Sequence, residues 1–222
     1  MAPQLNAPAR ERRRLRRPRL TVPSMELGWN GFGADMNIPG MADDAYSTAG
    51  DIFRYCPQCG AEAPSIDRGR AMQCPACGFR LYHNVGIAVA ALVRGGQGRY
   101  CFIRRAHEPA MGKLGLPGGF ADPGESLADV ARREIREETG LAVGELTYLT
   151  SCPNGYAYRG LVYATLDAYF HAEAANASRA EALDEVDAIV WLRPEAVDPA
   201  ELAFDSTRHA VTYLTTEYLR QP

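Results

Sequence analysis

The sequence contains no apolar run approaching the ~20 residues that a bilayer-crossing helix needs, so no membrane partner is expected. The longest run, Val85 to Val93, mixes β-branched residues with alanine and Gly86 and reads as a buried strand. No apolar stretch follows the N-terminal arginines, which argues against a secretory or twin-arginine signal. The chain also lacks a strong overall charge, at −3. What remains is 46% hydrophobic and 23% charged residues over 222 positions, enough for one ordinary domain plus a small module.

The small net charge conceals an asymmetry. Residues 1–19 carry seven arginines against Glu11, and the other 203 residues hold the compensating acids. Such a basic block suits nucleic acid or an anionic membrane surface, and a weak RNA contact is the candidate partner. A solvated tail, an Arg-rich transit peptide, or a start further along at Met25, Met36 or Met41 fits the same residues. Residues 20–50, rich in Gly, Asn, Asp and Met, show no sustained period. The expectation is a disordered tail and linker over 1–50, a small module over 51–82 and the main domain over 83–222.

Cysteine is scarce and mostly committed. CPQCG (56–60) and CPACG (74–78) are near-identical knuckles, each presenting two thiolates on a tight turn. Cys56, Cys59, Cys74 and Cys77 then form a closed tetrahedral set suited to structural Zn2+, so the module over 51–82 is expected to be a small zinc ribbon. Redox use of the pairs is the competing reading, which their duplication disfavours. About thirty residues are too few to bury a core unaided, which gives the metal a folding role. Arg54, Arg68, Arg70 and Arg80 lie around the knuckles without an aromatic stripe, a weak signal for nucleic acid. Cys101, in the apolar strand YCFIRR, reads as a small hydrophobe. Cys152 stays open. This thiol usage suits a reducing, cytoplasmic compartment.

Beyond the ribbon the order is strand (85–93), strand (100–106), glycine-rich loop, helix, and then strands at 148–150, 161–171 and 188–192. A terminal helix over 206–219 closes the chain. Mixed strands and helices on one core imply a layered α/β domain. The first helix is marked by Ser126 as cap, Asp129 three residues on, and a Gly140 stop. Leu127, Val130, Ala131 and Ile135 fall on one stripe, and Glu134, Glu137 and Glu138 fall on that stripe too. Three inward carboxylates repel one another and lose hydration, a conflict that a hard divalent cation such as Mg2+ or Mn2+ resolves. A solvated face paired with Arg133 and Arg136 is the alternative; the apolar continuation of the stripe disfavours it.

Gly119, Glu125, Arg133-Glu134-Ile135, Glu137-Glu138 and Gly140-Leu141 stand at the spacing of a Nudix box, with every defined position filled. The chain therefore resembles the Nudix hydrolase superfamily over roughly 83–222. With the ribbon ahead, it is similar to the NADH pyrophosphatase and FAD/ADP-ribose pyrophosphatase branches. The resemblance implies a Nudix α/β/α sandwich with a mixed sheet, and metal-dependent pyrophosphohydrolysis of a small-molecule nucleoside diphosphate linked to another group. FAD, ADP-ribose or NADH would release AMP.

By the same resemblance Glu134, Glu137 and Glu138 are the metal ligands, and one of them or a later-loop carboxylate is the base. Arg133 and Glu125 support the box, and Gly119 brings the backbone close to the metals. Glu185, six residues before Trp191, resembles the acid that joins such sites; an ordinary loop acid among Glu181, Asp184 and Asp187 fits as well.

Arg104 and Arg105 are candidate phosphate donors, but strand alternation sends them to opposite faces, so only one is expected to serve. Tyr156, Tyr158 and Phe204 offer stacking for an adenine or flavin ring, or plain core. In SCPNGYAY (151–158), Ser151 and Pro153 match the NADH-branch motif while its glutamine and tryptophan are missing; ELAF (201–204) is closer to the FAD/ADP-ribose branch. FAD and ADP-ribose are thus expected ahead of NADH. A hydrolase of nucleotide-capped RNA and a nucleotide-sensing binding module are the competing functions. A homodimer is left open.

Overall fold

The computed structural model describes residues 46–62, 64–67 and 71–220; the expected Arg-rich tail and most of the expected linker lie outside them. Residues 46–50, expected as linker, instead join the ordered part. Thr48 caps a single helical turn, α1 (Ala49–Ile52), reciprocally with Asp51. Ser47 bonds the backbone of Val162 through both its N–H and its hydroxyl, which pins this entry segment to the main domain.

The ribbon follows as three short antiparallel strands, β1 (Ser65–Asp67), β2 (Ala71–Gln73) and β3 (Arg80–Tyr82). Its two knuckles repeat the same backbone pattern. Cys56 N–H bonds Ala61 O and Cys74 N–H bonds Phe79 O, both at 2.8 Å; Gly60 and Gly78 close back onto the first cysteine of each pair at 2.9 Å. Both glycines sit at φ near +75° (75° and 77°), where an L side chain is strained, which explains why each knuckle ends in glycine.

The main domain is a seven-stranded mixed sheet. Its strands are β4 (Gly86–Arg94), β5 (Tyr100–Arg105), β6 (Leu114–Gly115), β7 (Gly118–Phe120), β8 (Val143–Tyr158), β9 (Leu161–Ala174) and β10 (Val186–Leu192). The spatial order is β10-β5-β4-β9-β8, with β6 on β5 and β7 on β4. Only β4 and β9 run parallel. Helix α2 (Leu127–Thr139) covers one face over Val89, Ala91, Val93 and Phe170. Helix α3 (Asp205–Thr216) covers the other over Leu92, Phe102, Leu149 and Tyr169. Two helices sandwiching a mixed sheet is the α/β/α architecture expected.

Several boundaries differ from expectation. The strand expected at 148–150 runs from 143 to 158, through Pro153 and Asn154-Gly155. As the sheet's edge strand, β8 can carry a proline without losing a ladder bond. The terminal helix ends at Thr216, followed by a 3-10 turn over Tyr218–Arg220. Leu127, expected in the core, is 40% exposed, because the first turn of α2 overhangs the sheet. Cys101 and Cys152 are both buried, and burial pushes their thiols up to about 12 and about 11. Among the described residues no helix is long and apolar enough to cross a membrane.

Candidate active site

Helix α2 begins as its sequence dictates. Ser126 and Asp129 exchange capping bonds, and Gly140 stops the helix in the left-handed region at φ 65°. The three acids of the expected stripe end in three different environments. Glu138 is 7% exposed and accepts Gly118 N–H at 2.8 Å. Burial, the largest cause, pushes its carboxyl up to about 8, with the Glu134 charge adding to it. Glu134 is half-buried and also raised, again chiefly by burial. Glu137, expected inward, has a side chain 50% exposed. It lies at the edge of the stripe, where the cleft opens to water.

Arg133 ties this end of the helix together. Its Nε and Nη2 grip the two oxygens of Glu125 at 2.7 and 2.9 Å, while Nη1 reaches Glu134 Oε1 at 2.6 Å and Glu137 Oε2 at 3.2 Å. Nη2 also bonds Phe120 O at 3.0 Å, joining the helix to β7. The guanidinium holds the Glu125 carboxyl down at about 2. β7 itself needs its glycines. A Cβ on Gly118 would collide with Val89 O and Ala90, and one on Gly119 with the carboxylate of Glu134.

The loop that carries Glu185 completes the site. The carbonyls of Glu137, Glu138 and Thr139, left open at the end of α2, accept N–H groups from Asp184, Leu183 and Glu181 at 3.3, 3.1 and 3.0 Å. Ala106 N–H in turn bonds Glu185 O, so Glu185 is held beside the helix acids at φ 57°. No arginine among the described residues pairs with its side chain.

The resulting cleft, about 390 Å³, brings together Glu134, Glu137, Glu138, Glu185, Arg105, Gly119, Tyr156 and Phe204. It does not include Arg104, whose guanidinium sits on Gly112 O and lies 3.9 Å from Glu201. Arg105 has its Nε on Pro109 O at 2.8 Å, and its guanidinium carbon lies 5.2 Å from the Phe204 ring centre. Tyr156 stands between Phe204 and Phe120, at 6.0 and 5.2 Å between ring centres. An adjoining cavity of about 610 Å³ extends the cleft past Tyr158 and Tyr163. Sequence reasoning missed Asn154 and Asp167, which also line the cleft. A lone acid in the apolar strand YATLDAYF was the available signal for Asp167.

The four ribbon thiols are the only group of three or more metal-ligating side chains among the described residues whose ligand atoms all lie within 4.8 Å. Cys56 and Cys77 are 3.7 Å apart at sulfur, and Cys59 and Cys74 3.6 Å. A tetrahedron with Zn–S bonds of about 2.3 Å has sulfur edges of about 3.8 Å, so the set fits structural zinc.

Comparison with known proteins agrees with both parts. The family model described as NUDIX domain matches residues 85–213, and that described as NADH pyrophosphatase zinc ribbon domain matches 53–82. A curated relative from Pseudomonas aeruginosa, described as NAD-capped RNA hydrolase NudC, is 28% identical over 158 residues, 71% of this chain and 54% of its own length. The chain thus spans about half the length of the curated relatives it matches. A NUDIX hydrolase structure from Nitrosomonas europaea matches with a TM-score of 0.61 at 23% identity, covering 77% of this chain and 95% of that one. The NUDIX domain of Shewanella oneidensis NrtR, complexed with ADP ribose, matches at 0.52 and 20% identity, over 62% of this chain and 90% of that one. At these identities the structural likenesses speak for the fold.

Proposed function

The chain belongs to the NUDIX family, with an NADH pyrophosphatase zinc ribbon ahead of the family domain, and from that premise we propose that it hydrolyses the diphosphate of an adenine nucleotide linked to a second group. The observation that carries this reading is the continuity of one cleft. The acids Glu134, Glu137, Glu138 and Glu185 and the aromatic rings of Tyr156 and Phe204 all line it.

The acidic donors suit a hard divalent cation: carboxylate oxygens only, two of them desolvated, beside a backbone that glycine brings close. Glu134, Glu137 and Glu138 would hold Mg2+ or Mn2+, which when bound supplies charge stabilisation to the diphosphate and a more acidic water. Arg133 fixes Glu134 and Glu137 in place. The Arg105 guanidinium, propped on Phe204, offers its free N–H groups to a phosphate oxygen. Among these four glutamates, Glu138 and Glu185 are not tied to Arg133, and we assign the proton of the attacking water to one of these two. The aromatic rings hold the base. The expected products are AMP with FMN from FAD, or with ribose 5-phosphate from ADP-ribose.

The description of the Pseudomonas relatives favours a second reading, NAD-capped RNA, with the same bond cut on a larger substrate. Residues 1–24 would then add salt-dependent affinity for RNA. A hydrolysis panel of FAD, ADP-ribose, NADH and NAD-capped RNA with Mg2+ or Mn2+ tests both. Cleavage of free nucleotides at the pyrophosphate is expected. Free adenine, or inorganic phosphate as the sole product from ADP-ribose, would reject the chemistry. A preference for capped RNA that is lost with residues 1–24 would establish the second reading.

A further inference from the structure

Asn154 on β8 and Asp167 on β9 are buried polar residues whose hydrogen-bonding capacity the fold does not fill. Asn154 is 5% exposed, yet its side-chain amide makes no hydrogen bond to any described residue. No enclosed side-chain N or O among the described residues lacks a partner, so this amide is open to the cleft it lines. An unpartnered amide in so buried a position costs free energy unless something else satisfies it.

Asp167 is 7% exposed and has no cationic partner among the described residues. Its Oδ1 accepts Thr165 Oγ and its Oδ2 accepts Ser206 Oγ, both at 2.7 Å. An ionised carboxylate has roughly four acceptor positions, so about two remain for a donor from the cleft. The two residues face the same side of the sheet. Asn154 lies opposite Thr165 and Cys152 opposite Asp167 in the β8–β9 ladder, so Asn154 is one pair further along on that face.

The neighbouring strand adds little side-chain bulk on this face, with the Phe120 ring lying over Gly86. In the parallel ladder Thr165, Asp167 and Tyr169 lie beside Gly86, Ala88 and Ala90, three positions with almost no side chain. Tyr156 and Phe204 supply the aromatic wall. Together this makes a slot with stacking surfaces, a carboxylate that can only accept, and an amide that can donate or accept.

We propose that Asn154 and Asp167 read the amino edge of adenine: the 6-amino group donates to Asp167, and the neighbouring ring nitrogen accepts from the Asn154 amide. Asp167 serves as the discriminating group, because a base without a donor at that position leaves the open acceptor positions of its side chain unfilled. This rests on the pyrophosphohydrolase reading, which places a nucleotide in the cleft.

The test compares ADP-ribose with its analogue carrying hydrogen in place of the 6-amino group, for the wild type, Asn154→Ala and Asp167→Asn. A hydrogen bond to a charged acceptor corresponds to about tenfold to a hundredfold in affinity. The wild type should therefore lose roughly that factor in kcat/KM on the analogue, chiefly through KM. Asn154→Ala should raise KM for both substrates, and Asp167→Asn should shrink the discrimination between them.

Since Asp167 also anchors Ser206 at the start of α3, loss of fold in that variant is met by a second measurement. AMP and its deamino counterpart are titrated directly onto the wild type and Asn154→Ala. Equal kcat/KM on the two substrates in the wild type overturns the proposal. Absence of turnover on both would count against pyrophosphate hydrolysis instead; the AMP titration then decides the base assignment, and equal affinity for the two monophosphates overturns it.

Discussion

Arg133 holds both oxygens of Glu125 with two guanidinium nitrogens and Glu134 with the third, so one side chain sets the spacing between the start of the helix and its acids. Lysine keeps the charge and loses the fork. Arg133→Lys should lower kcat by about tenfold to a hundredfold, the range for supporting residues of a metal site, with little change in unfolding midpoint. Steady-state kinetics beside a urea titration checks this; turnover within twofold of wild type would show that the fork is dispensable.

Glu138→Gln should separate catalysis from stability. The amide oxygen can still accept Gly118 N–H, while a carboxyl held in the interior next to Glu134 is gone. Metal-dependent turnover should fall by orders of magnitude and the metal-free protein should unfold at equal or higher urea. Glu185→Gln distinguishes the base. If Glu185 takes the proton, its variant loses kcat and keeps metal affinity, whereas loss of metal affinity in Glu138→Gln alone would assign that residue to the cation.

The ribbon should carry about one zinc through purification without added metal, as four-thiolate sites do. Elemental analysis reads this directly, and zinc-free fresh protein would reject the structural site. Cys59→Ser should lower the melting temperature while leaving the specific activity of the folded fraction close to wild type.

Two buried imidazoles should oppose the fold as the pH falls, with the raised carboxyls of Glu134 and Glu138 acting in the opposite sense. Burial holds His171 and His209 below the usual histidine range. His171 lies between the hydroxyls of Tyr100 and Tyr218, each 3.4 Å from a ring nitrogen, with Glu173 4.0 Å away. The imidazoles of the unfolded chain take up protons first, near pH 6.5, so their contribution to stability is lost as pH falls below about 6.5 toward the lowered folded values. Between pH 7.5 and 5.5 the urea midpoint of His171→Gln should rise relative to that of the wild type, because the variant lacks the imidazole that must charge. An unchanged difference between the two proteins would place the effect elsewhere.

The parts legible from sequence were those written in consecutive residues. The α2 cap, its glycine stop and the knuckle glycines are local chemistry. The depth of burial along the stripe was not legible: helical spacing put Leu127, Glu137 and Glu138 together, but only the sheet's extent decides that Leu127 overhangs and Glu138 is enclosed. Asn154-Gly155 has the form of a turn and lies within β8, because pairing with β9 along thirteen residue pairs overrides a dipeptide preference. Asn154 and Asp167 come from different strands, and no spacing in one strand announces the other. Arg104 and Arg105 separated as alternation requires, yet which of them meets the cleft depended on where Phe204 lies.

The hook formed by residues 181–185 on the end of α2 changes what counts as a transferable part. Its amides take the helix's last carbonyls, so the box and a segment that begins at residue 181 are hydrogen-bonded into one unit. A graft of the box alone into another sheet would bring the helix acids without the strut that caps their helix and carries Glu185. The portable object is discontinuous in the chain, and a gene-level cut at either edge of the box divides it.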